Sequence, residues 1–87
     1  MNVKFTKKFE KQYNKAPKKI RNVFEFRLKL FMSDKLSPTL NNHHLTGKFA
    51  GYRSINVTSD WRAIFRGLEG GEIVYFDLLG THSQLYR

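Results

Sequence analysis

The stretch Gly80-Thr81-His82-Ser83-Gln84-Leu85-Tyr86-Arg87 carries an imidazole, two hydroxyls, a carboxamide, a phenol and a guanidinium. It follows the most apolar run of the chain, Ile73-Val74-Tyr75-Phe76-Asp77-Leu78-Leu79, and breaks that run's character at Gly80. Glycine there permits a positive φ or a close backbone approach where the chain leaves a strand. A free imidazole titrates at about 6.5, so His82 can take or give a proton near neutral pH. Its polar neighbours do not suit a core role. The chemistry on offer is general acid/base catalysis, on a segment held by a rigid strand.

Guanidiniums recur nearby. Arg53, Arg62 and Arg66 fall on strand-like stretches and could share one sheet face, where forked donors suit phosphate oxygens. Arg66 reads more simply as a solvated surface residue. His43 and His44 are adjacent in a loop, so at most one reaches a given site. No H-x-x-x-H or H-x-H spacing occurs and there are no cysteines, so neither a zinc site nor a disulfide is expected. There is no G-x-S-x-G, no phosphate-binding glycine loop and no nucleotide fingerprint; Gly70-Gly71 reads as a turn. Phe5, Phe9, Phe24 and Phe31 read as core, which leaves Trp61 and Tyr86 as candidates for stacking on a base.

The charge balance indicates the partner. Sixteen Lys and Arg stand against seven Asp and Glu, a net +9 on 87 residues. Such an excess attracts polyanions and gives salt-sensitive binding to phosphate backbones. Nucleic acid, an anionic membrane surface and an acidic protein all answer it, with nucleic acid foremost. The length fits one domain over residues 1–87. No long apolar run is present to span a membrane, and no signal-like stretch follows Lys4, Lys7 and Lys8, so a cytoplasmic location is expected.

The elements that must position these residues follow from periodicity. Val3 and Phe5 alternate with polar neighbours as a short strand. Thr6 is a natural N-cap for a helix to about Lys15, with Phe9 and Tyr13 on its buried face. Pro17 suits the start of a second helix, to about Met32. Its stripe is Ile20, Val23, Phe24, Leu28 and Phe31, widened by Phe26, Leu30 and Met32. Residues 33–42 carry turn signals. From about Leu45 the period becomes two, through Arg53, Ile55 and Val57, then Trp61, Ala63 and Phe65. Thr58-Ser59-Asp60 and Gly67 to Gly71 are the intervening turns, and Ile73 to Leu79 is the last strand. The fold class is α+β: a strand, a helical hairpin, then three consecutive antiparallel strands, with the helices on one sheet face and the other exposed.

Four motifs, in order, resemble the RelE superfamily of bacterial and archaeal toxins, its YafQ-like branch above all. They are His44-Leu45-Thr46-Gly47, Gly51-Tyr52-Arg53-Ser54-Ile55, Asp60-Trp61-Arg62-Ala63-Ile64-Phe65 and Gly80-Thr81-His82-Ser83-Gln84-Leu85-Tyr86. The likeness spans essentially the whole chain. Each motif alone is loose; their order and spacing are specific.

The resemblance implies the toxin of a toxin–antitoxin pair, a metal-independent endoribonuclease cutting mRNA, typically on the ribosome, with no cofactor. The 2′-hydroxyl would attack the adjacent phosphate and leave a 2′,3′-cyclic phosphate. The family's histidine of H-x-L-x-G, aspartate of D-W, histidine of G-T-H-S and terminal aromatic are carried onto His44, Asp60, His82 and Tyr86. Its further histidine, four residues before that aspartate, is Asn56 here. Arg62 matches the arginine that stabilises the phosphorane in other branches. Arg53, Trp61, Lys48, Arg87 and Lys11 are expected to contact RNA. A small acidic antitoxin is the expected protein partner, beside mRNA and the ribosome. Two alternatives stay open: a non-nucleolytic toxin like the ParE branch, which acts on gyrase, and an RNA- or ribosome-binding module whose catalytic set has decayed. The His and Tyr of the tail speak against the first, while Asn56 keeps the second in play.

Overall fold

Thr6 starts the first helix: its hydroxyl accepts from the Phe9 N–H at 3.1 Å, filling one of the bonds a helix N-terminus leaves open. The computed structural model describes residues 1–86. In it β1 (Asn2–Phe5) leads into α1 (Lys7–Lys15) and α2 (Lys18–Ser33). The Ala16 N–H closes α1 on the Gln12 and Tyr13 carbonyls, and Pro17 opens α2 as its N-cap. The Arg21 guanidinium reaches back to the Ala16 carbonyl and pins the corner of the hairpin. Ile20, Phe24 and Phe31 are buried along α2. The stripe is narrower than expected, because Phe26 lies about 200° around the helix from Phe24. Phe26 and Met32 face solvent, Phe26 with 72% of its surface exposed.

A short 3-10 turn (Pro38–Leu40) precedes β2 (His43–His44), and another (Gly47–Phe49) precedes β3 (Arg53–Asn56). Then come β4 (Trp61–Leu68), a turn at Glu69–Gly71, β5 (Ile73–Thr81) and α3 (His82–Leu85). The sheet order is β1-β5-β4-β3-β2, with β1 parallel to β5 and every other pair antiparallel. The expected fold class holds, with three refinements. His43 and His44 form a strand instead of a loop, paired to Ser54 and Arg53. Gly67 lies within β4, opposite Val74, because Glu69, Gly70 and Gly71 adopt the positive φ that the turn needs. The last strand runs past Gly80 to Thr81.

The helices pack on one face. There Phe9, Phe24, Phe31, Phe65 and Phe76 form a ring-on-ring core, for example Phe31 against Phe65 at 5.0 Å and Phe24 against Phe76 at 5.6 Å, both edge-on. Each buried Phe is worth about 1.5–3 kcal/mol of burial. Beside this core the Tyr13 hydroxyl donates to Glu25 at 3.0 Å, and burial, aided by Glu25, pushes the phenol's pKa up.

A register shift between Ile64 and Phe65 leaves Asp77 without a partner on β4. The bulge lets Phe76 face the helices while Leu78 faces away, joining Ile64 and Leu85 in a second cluster. Leu45, Phe49, Tyr52 and Tyr86 pack against it. The face opposite the helices is therefore partly roofed by the segment 45–52 and by α3, not open as expected. Among the described residues, no helix is long and apolar enough to cross a membrane.

Candidate active site

The end of β5 is built to present His82. Thr81 caps α3 reciprocally: its hydroxyl accepts from the Gln84 N–H at 3.2 Å, and Gln84 Oε1 accepts from the Thr81 N–H at 2.9 Å. Leu85 buries beneath this single turn, which leaves His82 exposed at its start. Gly80 has no left-handed φ; it sits at a close approach. A Cβ there would meet Gln84 Oε1 at 3.1 Å and Leu85 Cδ2 at 3.2 Å. The imidazole lies 4.8 Å from the Tyr86 ring, and Tyr86 in turn stands edge-on to Phe49 at 5.8 Å.

The turn before β4 meets the same place. Thr58 Oγ1 accepts from the Asp60 and Trp61 N–H groups, and the Asp60 carbonyl accepts from the His82 N–H at 2.9 Å. Arg62 Nη1 donates to the Thr58 and Trp61 carbonyls at 2.9 and 3.2 Å, which anchors the guanidinium at this turn. The Asp60 side chain is exposed and makes no hydrogen bond among the described residues.

A cleft of about 280 Å³ opens between these elements, lined by Asn41, His43, Leu45, Arg62, His82 and Tyr86. It gathers His82, Arg62 and Tyr86 as expected, but the other histidine in it is His43. Strand alternation decides this. His43 pairs with Ser54, which pairs with Ile64 on the face of the second cluster, whereas His44 pairs with Arg53 on the opposite parity. The motif agrees once counted: in H-x-L-x-G, with Leu45 and Gly47 fixed, the histidine is His43 and His44 is the x. His43 Nδ1 lies 2.7 Å from the Asn41 carbonyl. Only a protonated Nδ1 can bond a carbonyl, so the neutral ring keeps its lone pair on Nε2.

The remaining candidates scatter. Arg53 donates through Nε to Asn42 Oδ1 at 2.7 Å, and its Nη1 sits 3.0 Å from His44 Nε2. Trp61 does not reach the cleft, because its parity on β4 turns it to the helix side, half-buried against the main core. Lys48 holds its ammonium 5.3 Å from the Phe49 ring, one aromatic removed from Tyr86. Lys11 is exposed on α1. Arg66 lies over the Tyr75 ring at 5.7 Å. Arg87 lies outside the described residues. Asn56 pairs with Arg62 across the strands, and its Oδ1 is buried without a partner. Among the described residues, no three His, Asp or Glu side chains gather as a metal-binding group.

The sequence reading missed α3 and the role of β2. Thr81-His82-Ser83-Gln84 has the spacing of a capping box, so α3 was available to it. The two-residue β2 carries no periodicity of its own.

The chain matches, over residues 1–87, the sequence family described as the bacterial toxin of type II toxin–antitoxin system, YafQ. No curated protein matches it. Among solved structures it is similar to YafQ from E. coli strain BL21(DE3), at 22% identity and TM-score 0.82, covering 99% of this chain and 98% of that one. The E. coli DinJ-YafQ toxin–antitoxin complex matches at 23% identity and TM-score 0.79, covering 99% and 97%. The RelBE2 toxin–antitoxin complex from Mycobacterium tuberculosis matches at 21% and 0.73, covering 93% and 96%. At these identities the likeness to solved structures is one of fold.

Proposed function

We propose, from the premise that this chain belongs to the YafQ family of type II toxin–antitoxin toxins, that it is an endoribonuclease working by acid/base catalysis without a metal. One observation carries the reading: two imidazoles, a guanidinium and a phenol line one solvent-open cleft. His43, held through Nδ1 by the Asn41 carbonyl, takes the proton of a ribose 2′-hydroxyl on Nε2. The 2′-oxygen then attacks the adjacent phosphorus and displaces the 5′-oxygen, which His82 protonates. The products are a 2′,3′-cyclic phosphate and a 5′-hydroxyl. Arg62 offsets the charge that gathers on the phosphorane oxygens. Tyr86 packs on the His82 ring and fixes where its proton is delivered. The Asp60 carboxylate adds its charge at the same turn.

The substrate is mRNA on the ribosome in the cytoplasm, consistent with the net charge of +9. An acidic antitoxin is the protein partner, in line with the complexes that similar folds form. The test is cleavage of ribosome-bound mRNA by the purified chain, read by primer extension and end-group analysis, with free RNA in EDTA testing the need for a metal. Cuts ending in a cyclic phosphate, absent with His82→Gln, are expected. Binding without cuts would leave only the RNA-binding module, and arrested gyrase without cuts would favour the ParE-like reading.

A further inference from the structure

A second hollow of about 310 Å³ lies where α1, β4, β5 and α3 meet, lined by Gln12, Lys15, Trp61, Leu79, Gln84 and Leu85, with Ala16 at its edge. Its polar groups have one character. Gln12 Oε1 is taken by the Leu79 N–H at 2.8 Å, and Gln84 Oε1 by the Thr81 N–H at 2.9 Å. Each carboxamide is thereby fixed, with its NH₂ group still free to donate among the described residues. The indole N–H and the Lys15 ammonium add two more donors with no partner there. The nearby Ala16 carbonyl is already bonded by Arg21. The hollow thus joins one half-buried aromatic plane to several free donors, while each of its carboxamide oxygens already accepts a bond.

That combination suits a planar ligand rich in acceptors and close to negative charge, which describes a nucleobase on its phosphate backbone. Indole stacking tolerates any base, while fixed amide donors bond carbonyl oxygens and ring nitrogens. The location says which base. Trp61 and Arg62 are consecutive at the start of β4 and face opposite sides of the sheet. α3 spans the two sites, giving His82 to the cleft and Gln84 and Leu85 to the hollow. The two sites therefore meet at the start of β4, where adjacent Cα atoms are about 3.8 Å apart, so one RNA strand can reach both.

We infer that this hollow is a subsite for an unpaired nucleobase neighbouring the scissile bond, stacked on Trp61 and held by the amides of Gln12 and Gln84. The inference rests on the nuclease reading above and adds where a flanking base is read.

Trp61 is the sole tryptophan, so all tryptophan fluorescence comes from this hollow. Short single-stranded RNAs carrying one abasic residue, scanned along the sequence, are titrated into the His82→Gln variant. Saturable quenching that is lost when one particular position near the cut is abasic is expected. Gln12→Glu and Gln84→Glu keep the internal acceptor bonds and replace a donor with a negative oxygen. Each should weaken quenching about ten-fold or more, and in the otherwise wild-type chain should shift which flanking base is preferred at the cut. RNA that binds without quenching at any position overturns the subsite, as does quenching by an acidic peptide but not by RNA. Cleavage of ribosome-bound mRNA by the wild-type chain, run in parallel, decides the nuclease reading separately. Cuts without quenching sink the subsite alone; neither cuts nor quenching sinks both.

Discussion

The His82 N–H donates to the Asp60 carbonyl at 2.9 Å, which joins the start of α3 to the turn before β4. Two motifs far apart in sequence, D-W-R and G-T-H-S, are thereby joined backbone to backbone. The bond ties the turn that anchors Arg62 to the helix start that carries His82, the preorganisation that the proposed chemistry needs.

The two adjacent histidines separate by function. His43→Gln should lower cleavage by about 10²–10⁴-fold, the usual worth of a positioned base. His44→Gln, on the opposite strand face beside Arg53, should cost less than about ten-fold by the same scale. Single-turnover cleavage rates compare them. Equal losses would show that strand alternation does not decide which ring acts.

The acid and base roles separate by leaving group. A substrate whose 5′-bridging oxygen is replaced by sulfur needs no proton on departure. His82→Gln should recover most of its lost rate on that substrate, while His43→Gln should not. Rescue of the His43 variant instead would exchange the two assignments.

Arg62 serves both the turn and the cleft. Arg62→Ala should slow cleavage by about 10²–10³-fold and make the slope of log affinity against log salt shallower by about 0.7, one phosphate contact on a single strand. Arg62→Lys should restore the slope but only part of the rate, since its point charge lacks the forked geometry. Filter binding across salt concentrations, alongside cleavage rates, measures both.

Gly80→Ala should push the added methyl against Leu85 and Gln84 and tilt α3. A cost of about 1–3 kcal/mol is expected from such overpacking, readable by denaturant melts. Cleavage should fall further than the residual folded fraction explains, because His82 and Tyr86 shift with the helix. Wild-type activity in a folded Gly80→Ala chain would mean that α3 need not be placed so closely.

Alkaline pH should expose Tyr13. Burial and Glu25 raise its folded pKa, so the unfolded chain ionises first. Its contribution is fully present below the unfolded value of about 10 and is lost as pH rises through the folded one. Tyr13→Phe should flatten the fall in unfolding free energy above about pH 10. An unchanged fall in that variant would assign it to other groups.

Much of this was legible in the chain. The Thr6 cap, the helical period of Ile20, Phe24 and Phe31, and the alternation around Ile55 and Ala63 each reflect a local preference that the fold keeps. What was not legible depends on distant partners. His43 and His44 have no strand signal until Ser54 and Arg53 supply their bonds. The exposed Phe26 was legible but misread, since two residues on from Phe24 is about 200° around a helix. The faces of Phe76 and Leu78 reverse only because β4 and β5 pair with a bulge at Asp77. The Trp61 indole looked available beside Arg62, yet one residue along a strand is the other side of a sheet.

The pairing of β1 with β5 has an outcome in time. Residues 2–5 and the first helix leave the ribosome with their sheet partner still untranslated, since residues 73–81 supply it and fill the gap between β1 and β4. The early segments must wait for the late ones, so the cleft is assembled only once β5 and α3 have been made. A toxin built this way stays unarmed until its last strand exists.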